Sequence, residues 1–389
     1  MKGVLLMRKL CKFVAVLFTF VFAFSVMVYA ETEETCPVEI KAKSAILMDC
    51  ASGKVLMKMN EHEKLPPASV TKIMPMLLVV EKIASGEISV SDKVKTSAHA
   101  AGKGGSQIWL KENEEMTVDE LLKAVAVASA NDACCALGEY IAGSEKAFIQ
   151  LMNNRAKELG MNDTTFVNCS GLDDTDTNYT SAYDIAVMSR ELMKYEDIIE
   201  KYTTIWMDSL RDGNTELVNT NKLVRFYPGT TGLKTGTTQK AGCCLSATAK
   251  RDGLHLVAVV MGSENSTDRF ETAKAMLNWG FSNYESIKPV IDKKLITDVL
   301  VENGETDLIS PAIPETENVL IKKGRAKDIK QTINLAVRVN APVEKGQTLG
   351  TVEFSLDGEK LAEYNLLSSV NIEELKLPLA FKRLLTKLI

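Results

Sequence analysis

The spacing of Ser69 and Lys72 could make a serine hydroxyl nucleophilic. On a helix, residues three apart lie on the same face, one turn from each other. A serine hydroxyl is a weak nucleophile until a base removes its proton, and a neutral lysine amine could be that base. The first backbone N–H groups of a helix could also stabilise an oxyanion. Taken alone, S-x-x-K is a weak signal, and an N-capping serine followed by an exposed lysine is then the favoured interpretation.

Two later stretches could supply the groups that this pair needs, Ser129-Ala130-Asn131 and Lys234-Thr235-Gly236. Lys234 lies at the start of a predicted strand, so its ammonium group could reach a cleft beside Lys72. Two neighbouring ammonium groups disfavour double protonation, so we expect Lys72 to be neutral and Lys234 to stay charged and attract a substrate carboxylate. Gly236 has no side chain, so a peptide could pair with this strand edge.

The elements that must position these residues are predicted from hydrophobic periodicity. Strand-like runs lie near residues 44–59 and 232–261, and the region between them is mostly helical. Thr117 to Glu120 resembles a capping box in front of one apolar helix over Leu121 to Cys135. Pro75 lies past the first turn of the Ser69 helix and should kink it. The predicted fold class is α+β, with one antiparallel sheet flanked by helices.

The remaining chain divides into distinct segments. Residues 1–30 have a positive start and a short apolar run, which predicts a cleaved signal peptide, with a retained membrane anchor as the alternative. Residues 31–285 form the predicted catalytic domain and residues 286–375 a small all-β domain. Residues 376–389 read as a basic amphipathic helix on a membrane surface, or as one packed on the β domain or on a partner. The formal net charge of −5 gives no indication of nucleic-acid binding.

Cysteine and histidine spacing does not predict a metal site or a cofactor. After the signal peptide, seven cysteines remain, without a C-x-x-C pair, and a bridge between Cys36 and Cys50 stays open. His62, His99 and His255 fall in polar or strand contexts with no evident partner, so a Ser-His-Asp triad is not expected.

The motifs Ser69-x-x-Lys72, Ser129-Ala130-Asn131 and Lys234-Thr235-Gly236, in this order, resemble those of the D-alanyl-D-alanine carboxypeptidases, which are low-molecular-mass penicillin-binding proteins of the serine β-lactamase and transpeptidase-like superfamily. The resemblance implies that Ser129 relays a proton to the leaving amine and that Asn131 orients Lys72. It also implies an oxyanion hole from the N–H groups of Ser69 and Thr237. Arg269 and Thr235 would hold the terminal carboxylate. Ser170 stands where many members have histidine, so no role passes to it.

The expected activity is removal of the terminal D-alanine from peptidoglycan pentapeptide stems through an acyl-enzyme on Ser69, with β-lactams as covalent inhibitors. The expected location is the outer face of the bacterial cytoplasmic membrane, at the cell wall. One alternative is a class A-like β-lactamase, for which Glu158 would be the base. We reject Glu158 because the Leu159-Gly160 pair after it indicates a helix end. Another alternative is a non-catalytic penicillin-binding sensor or scaffold.

Deletion of residues 376–389 should release the protein from anionic vesicles without loss of activity, because the predicted helix carries the cationic and apolar contacts with the membrane. Vesicle co-sedimentation of the full and shortened chains measures this. Unchanged sedimentation of the shortened chain would contradict the anchor.

Overall fold

The computed structural model describes residues 37–173 and 177–381. The strands up to residue 263 are β1 Ser44–Asp49, β2 Val55–Met59, β3 Lys93–Lys95, β4 Glu115–Thr117, β5 Met207–Leu210, β6 Thr215–Val218, β7 Thr230–Thr238, β8 Gly242–Arg251 and β9 Leu254–Ser263. The α-helices are α1 Ile73–Ala84, α2 Ala98–Ala101, α3 Val118–Val127, α4 Asn131–Ala142, α5 Glu145–Glu158, α6 Ala182–Met193, α7 Glu196–Thr203, α8 Leu223–Phe226 and α9 Ser266–Asn283.

A five-stranded antiparallel sheet in the order β2-β1-β9-β8-β7 organises this region. Strand β9 is buried along almost its whole length instead of on alternate residues, which indicates that both faces of the sheet are covered. Helices α9 and α6 both contact β9. Strand β7 lies at one edge of the sheet. The predicted antiparallel sheet flanked by helices is confirmed.

Helix α1 is the central helix of the core, because most of its side chains are fully buried. A short 3₁₀ helix, Ala68–Lys72, precedes it and contains the Ser69 motif. Since α1 therefore begins only at Ile73, Pro75 lies within its first turn, where backbone N–H groups have no partner inside the helix. The expectation that Pro75 lies past the first turn and kinks the helix is wrong.

The predicted single helix over Leu121 to Cys135 is also wrong. The capping box of Thr117 and Glu120 is present, but α3 ends at Val127 and α4 begins at Asn131. Ser129 lies between them with φ 63°, a left-handed conformation that no helix tolerates in its interior. Both helices bury apolar side chains in one core, so the apolar pattern continues across the break and conceals it.

Residues 284–376 are all-β apart from two 3₁₀ turns, Lys293–Leu295 and Ala326–Asp328, and an all-β C-terminal domain is thus confirmed. Its strands are β10 Tyr284–Ile287, β11 Val299–Glu302, β12 Leu308–Ile309, β13 Pro311–Ala312, β14 Val319–Lys322, β15 Lys330–Leu335, β16 Arg338–Asn340, β17 Thr348–Leu356 and β18 Glu359–Ser368. They form a four-stranded sheet, a three-stranded sheet and a two-stranded pair around two small apolar cores.

The two terminal predictions fall mainly outside the described residues. The signal peptide and Cys36 lie before residue 37, and Cys50 has a free thiol. Residues 377–381 are helical, and the rest of the predicted amphipathic helix is outside the described range. Across residues 37–173 and 177–381, no helix combines the length and apolarity that crossing a bilayer requires.

Gly171 fixes the loop of residues 168–172 against the Ser69 turn. Its φ is +80°, and a Cβ atom there would lie 1.8 Å from the carbonyl oxygen of Ala68. Only glycine allows both the backbone conformation and this approach. The loop and the turn are therefore in direct backbone contact.

Gly171→Ala should lower the free energy of unfolding by more than Gly160→Ala. Gly160 has φ +73°, and no atom lies within 4 Å of the place a Cβ would take. Gly160→Ala therefore measures only the cost of placing alanine in a left-handed conformation, about 1–2 kcal/mol. Gly171→Ala adds overpacking, which costs about 1–3 kcal/mol more. Urea unfolding of both variants measures the difference, and equal losses would contradict the close contact.

Candidate active site

The Ser69 turn brings a serine hydroxyl and a lysine amine together, as the spacing of the two residues predicts. The Nζ atom of Lys72 lies 2.9 Å from Oγ of Ser69 and donates a second hydrogen bond, of 2.7 Å, to the carbonyl oxygen of Ser170. Lys72 is fully buried, whereas Ser69 is partly exposed. The amine is thus held out of water while the hydroxyl remains accessible to a substrate.

Burial is the main cause of the altered basicity of Lys72. It lowers the pKa of this amine from 10.5 to about 8, against the opposing effects of Cys134, Cys169 and Asp132. At pH 7 about one lysine in ten is then neutral and able to accept a proton. The prediction that a neighbouring ammonium group lowers this pKa is not the explanation for Lys72, and the repulsion between the two amines instead lowers the pKa of Lys234.

Lys234 lies on β7 and is also fully buried, with its Nζ atom 3.0 Å from the carbonyl oxygen of Thr235. Burial, Lys72 and Arg269 all lower the pKa of Lys234. Lys72 and Arg269 thus both act on Lys234. A substrate carboxylate beside Lys234 would raise this pKa again and favour the charged form of the amine.

The strand that carries Lys234 runs directly alongside the nucleophile. A Cβ atom on Gly236 would lie 2.7 Å from the carbonyl oxygen of Pro67 and 2.8 Å from the backbone nitrogen of Ser69. Glycine at this position is thus required by the Ser69 turn itself, a reason that the sequence did not reveal. The hydroxyl of Thr235 donates to Thr220 over 2.7 Å, which ties β7 to the segment before α8.

Arg269, at the start of α9, is almost fully buried against the far end of the motif. Its Nη1 atom donates to the carbonyl oxygens of Gly236 and Cys244 and to the hydroxyl of Thr237, over 3.0–3.1 Å. Thr237 donates in turn to the Gly236 carbonyl oxygen. Its Nη2 atom donates to the Ser266 hydroxyl over 3.1 Å, so the guanidinium group has several protein partners of its own.

The Ser129 and Asn131 side chains are placed by the break between α3 and α4. Both residues are buried, and the Nδ2 atom of Asn131 donates to the carbonyl oxygen of Gly104 over 2.7 Å. Its Oδ1 atom is buried without a partner in the described residues. A buried acceptor without a partner is costly, so this oxygen is available to a donor from a lysine or a substrate.

Several contributors to the site were not assigned from the sequence. The backbone carbonyl of Ser170 accepts from Lys72, although the residue received no role. Asp132 accepts from the backbone N–H groups of Ile108 and Leu110, which holds the loop in front of Asn131.

The structure does not place the three histidines or Glu158 where a catalytic triad or a β-lactamase base would need them. Contrary to expectation, all three histidines have partners: His62 contacts Asp163, His99 contacts Glu145 and His255 contacts Thr231. None of these is a serine that a triad could activate. Glu158 is the last residue of α5, is exposed and pairs with Arg155.

Comparison with known proteins gives two family matches. Residues 30–265 match the D-alanyl-D-alanine carboxypeptidase family, and residues 284–374 match the C-terminal domain of penicillin-binding protein 5. D-alanyl-D-alanine carboxypeptidase DacF of Bacillus subtilis is 44% identical over 346 residues, which cover 88% of each chain. D-alanyl-D-alanine carboxypeptidase DacC of Escherichia coli is 34% identical and covers 91% of this chain and 90% of its own.

Solved structures give a similar result. Penicillin-binding protein 5 of Haemophilus influenzae superposes with a TM-score of 0.74 at 30% identity, over 87% of this chain and 99% of that one. Penicillin-binding protein D2 of Listeria monocytogenes, in a cefotaxime-bound form, gives a TM-score of 0.58 at 30% identity and covers 63% of this chain and 98% of its own.

The Nζ group of Lys72 should titrate near pH 8, because burial destabilises its charged form, whereas ordinary lysines titrate near 10.5. Heteronuclear NMR of protein labelled at lysine measures this, and the Lys72→Met variant identifies the signal by its loss. A midpoint at or above about 10 would contradict the proposed basicity.

Proposed function

This chain belongs to the D-alanyl-D-alanine carboxypeptidase family, and we propose that it removes the terminal D-alanine from peptidoglycan pentapeptide stems through an acyl-enzyme on Ser69. It is a serine-type hydrolase of that family. The observation that carries the proposal is the buried Lys72 amine, 2.9 Å from the Ser69 hydroxyl and with its pKa lowered to about 8. This amine can take up the hydroxyl proton without a histidine.

Acylation proceeds by attack of the Ser69 oxygen on the carbonyl carbon between the last two D-alanines. Lys72 accepts the proton of the hydroxyl as the C–O bond forms. The backbone N–H groups of Ser69 and Thr237 stabilise the oxyanion, which is supported by the close passage of β7 beside the Ser69 nitrogen. The C–N bond then breaks, and Ser129 relays the proton from Lys72 to the departing D-alanine amine, which returns Lys72 to its neutral form.

Deacylation adds water to the ester and returns the proton to the Ser69 oxygen. Neutral Lys72 is the base for this water. Asn131 makes no hydrogen bond to Lys72 in the described structure, and its unpaired Oδ1 atom would accept one from the lysine or from a substrate amide during the reaction. Attack by another amine in place of water would give transfer instead of hydrolysis, and the product analysis below distinguishes the two.

The substrate carboxylate is held by positive charge and hydroxyl groups at β7. Lys234 supplies the charge, and Thr235 and Thr237 supply hydrogen bonds. Arg269 acts through Thr237, because its Nη1 atom donates to that hydroxyl over 3.1 Å. The peptide itself pairs with the β7 edge at Gly236 in the manner of an added strand.

We propose further that residues 31–285 form the catalytic domain and residues 286–375 a separate all-β domain. The family matches at 30–265 and 284–374 support this division. Export by the signal peptide of residues 1–30 and surface binding by residues 376–389 would place the enzyme at the cell wall, on the outer face of the cytoplasmic membrane. β-Lactams, which mimic the terminal dipeptide, would acylate Ser69 and inhibit it.

Ser69→Ala should abolish both D-alanine release from a pentapeptide stem and covalent labelling by fluorescent penicillin, because no acyl-enzyme can form. Mass spectrometry of the peptide products and gel fluorescence measure the two, and circular dichroism verifies the fold. Ser91→Ala, at an exposed serine, is the matched control and should retain both activities.

Labelling of Ser69→Ala at the wild-type level would exclude Ser69 as the nucleophile. Wild-type protein that is labelled but releases no D-alanine would favour the sensor alternative. Rapid multiple turnover of penicillin would favour a β-lactamase.

A further inference from the structure

A cluster of thiols lies next to the loop that holds Lys72. Cys169 directly precedes Ser170, whose carbonyl oxygen accepts the hydrogen bond from Lys72. Cys134 and Cys135 lie on α4, and the thiol of Cys134 donates to the carbonyl oxygen of Cys169 over 3.4 Å. The reaction proposed above uses none of these thiols.

Four side chains with metal-binding atoms converge at this cluster. The ligand atoms of Cys135, Glu145 and Cys169 lie within 4.8 Å of one another, and Cys169 Sγ is 3.1 Å from Glu145 Oε1. A ring nitrogen of His99 lies within 4.8 Å of the Cys135 sulfur, and its Nε2 atom is 2.7 Å from Glu145 Oε2. In a tetrahedral zinc site the ligand atoms are about 3.3–3.8 Å apart. Cys135, Glu145 and Cys169 are thus close enough to share an ion, and His99 lies near this group on the side of Cys135 and Glu145.

We propose that Cys135, Cys169, Glu145 and His99 bind a thiophilic divalent cation, with Zn²⁺ as the ion that fits best. Two thiolates, one imidazole and one carboxylate are a donor set that tetrahedral Zn²⁺ accepts. Alkaline-earth ions prefer oxygen ligands and do not suit the two sulfur atoms. Binding displaces the thiol protons, as it does at other thiolate sites.

Burial and charge around the cluster are compatible with a cation. Cys135 and Cys169 are fully buried, whereas the His99 side chain is 56% exposed and provides a route from solvent. Lys103 is paired with the Glu145 carboxylate, so that carboxylate already balances one positive charge. The Lys103 side chain is 20% exposed and can turn to solvent when a metal ion takes its place.

A further carboxylate, that of Glu139, lies next to two of the proposed ligands. Glu139 lies within 4.8 Å of both His99 and Cys135 at the ligand atoms, and its Oε2 atom accepts a hydrogen bond from Ser97. Such an outer carboxylate typically orients a ligating histidine. A bound ion would join α4, α5 and the 168–172 loop, and would thus brace the carbonyl that holds Lys72.

Cadmium titration of the reduced, chelator-stripped full-length protein tests the site, because thiolate–cadmium bonds give an ultraviolet charge-transfer band. We expect the band to saturate at one equivalent and Zn²⁺ to compete for it. Cys135→Ser and Cys169→Ser should each lower the affinity by more than about tenfold, since even outer contacts of a metal site change affinity about 10–100-fold. Cys50→Ser, at a free thiol outside the cluster, is the matched control.

Two further variants are decisive if a buried cysteine variant does not fold. His99→Ala and Glu145→Gln alter groups nearer the surface and should also weaken binding, and Zn²⁺ should raise the Tm of the wild type by more than that of either variant. No charge-transfer band in the wild type, or equal affinity in the wild type and all folded cluster variants, would overturn the proposal. These readouts do not involve peptidase activity, so they are independent of the proposed function.

Discussion

The site depends on one buried amine with two hydrogen-bond acceptors. Burying a charged lysine is unfavourable unless it is paired, and Lys72 has no carboxylate partner in hydrogen-bond contact in the described structure. Its partners are instead a hydroxyl oxygen and the Ser170 carbonyl oxygen, neutral acceptors that do not offset the cost of burying the charge. The burial that makes Lys72 costly as a structural residue would thus make it effective as the proposed base.

Close backbone contacts keep this amine and the Ser69 hydroxyl in register. Gly236 allows β7 to pass beside the Ser69 nitrogen, and Gly171 allows the 168–172 loop to rest on the carbonyl of Ala68. The contact at Gly236 sets the position of β7. The contact at Gly171 sets the position of the Ser170 carbonyl, which accepts the hydrogen bond from Lys72. Backbone contacts thus fix the Ser69 turn on two sides. Such contacts do not depend on side-chain rotamers, so they position the turn more precisely than side-chain packing alone would.

Local patterns in the sequence predicted what depends on local spacing. The pairing of Ser69 with Lys72, the α+β class and the all-β C-terminal region all follow from short-range signals. The break at Ser129 could not be predicted, because both flanking helices bury apolar residues in one core. The place of Pro75 within the first turn depends on where α1 begins, and tertiary packing determines that start. The need for glycine at position 236 depends on how closely β7 approaches the Ser69 turn, which is also a tertiary feature. The His99, Cys135, Glu145 and Cys169 cluster brings together residues from four distant parts of the chain, so no spacing motif marks it.

Strand β7 has a hydrogen-bonded neighbour on one side only, β8, among the strands that the structure describes. An open strand edge invites self-association, since a second molecule could add its own strand there. The basic side chains of Lys234 and Arg269 lie buried beside this edge, and a second copy of the chain would bring the same groups, whereas the proposed substrate ends in a carboxylate. The electrostatic field of the cleft would thus help to keep the enzyme from aggregating through the edge that its substrate is proposed to occupy.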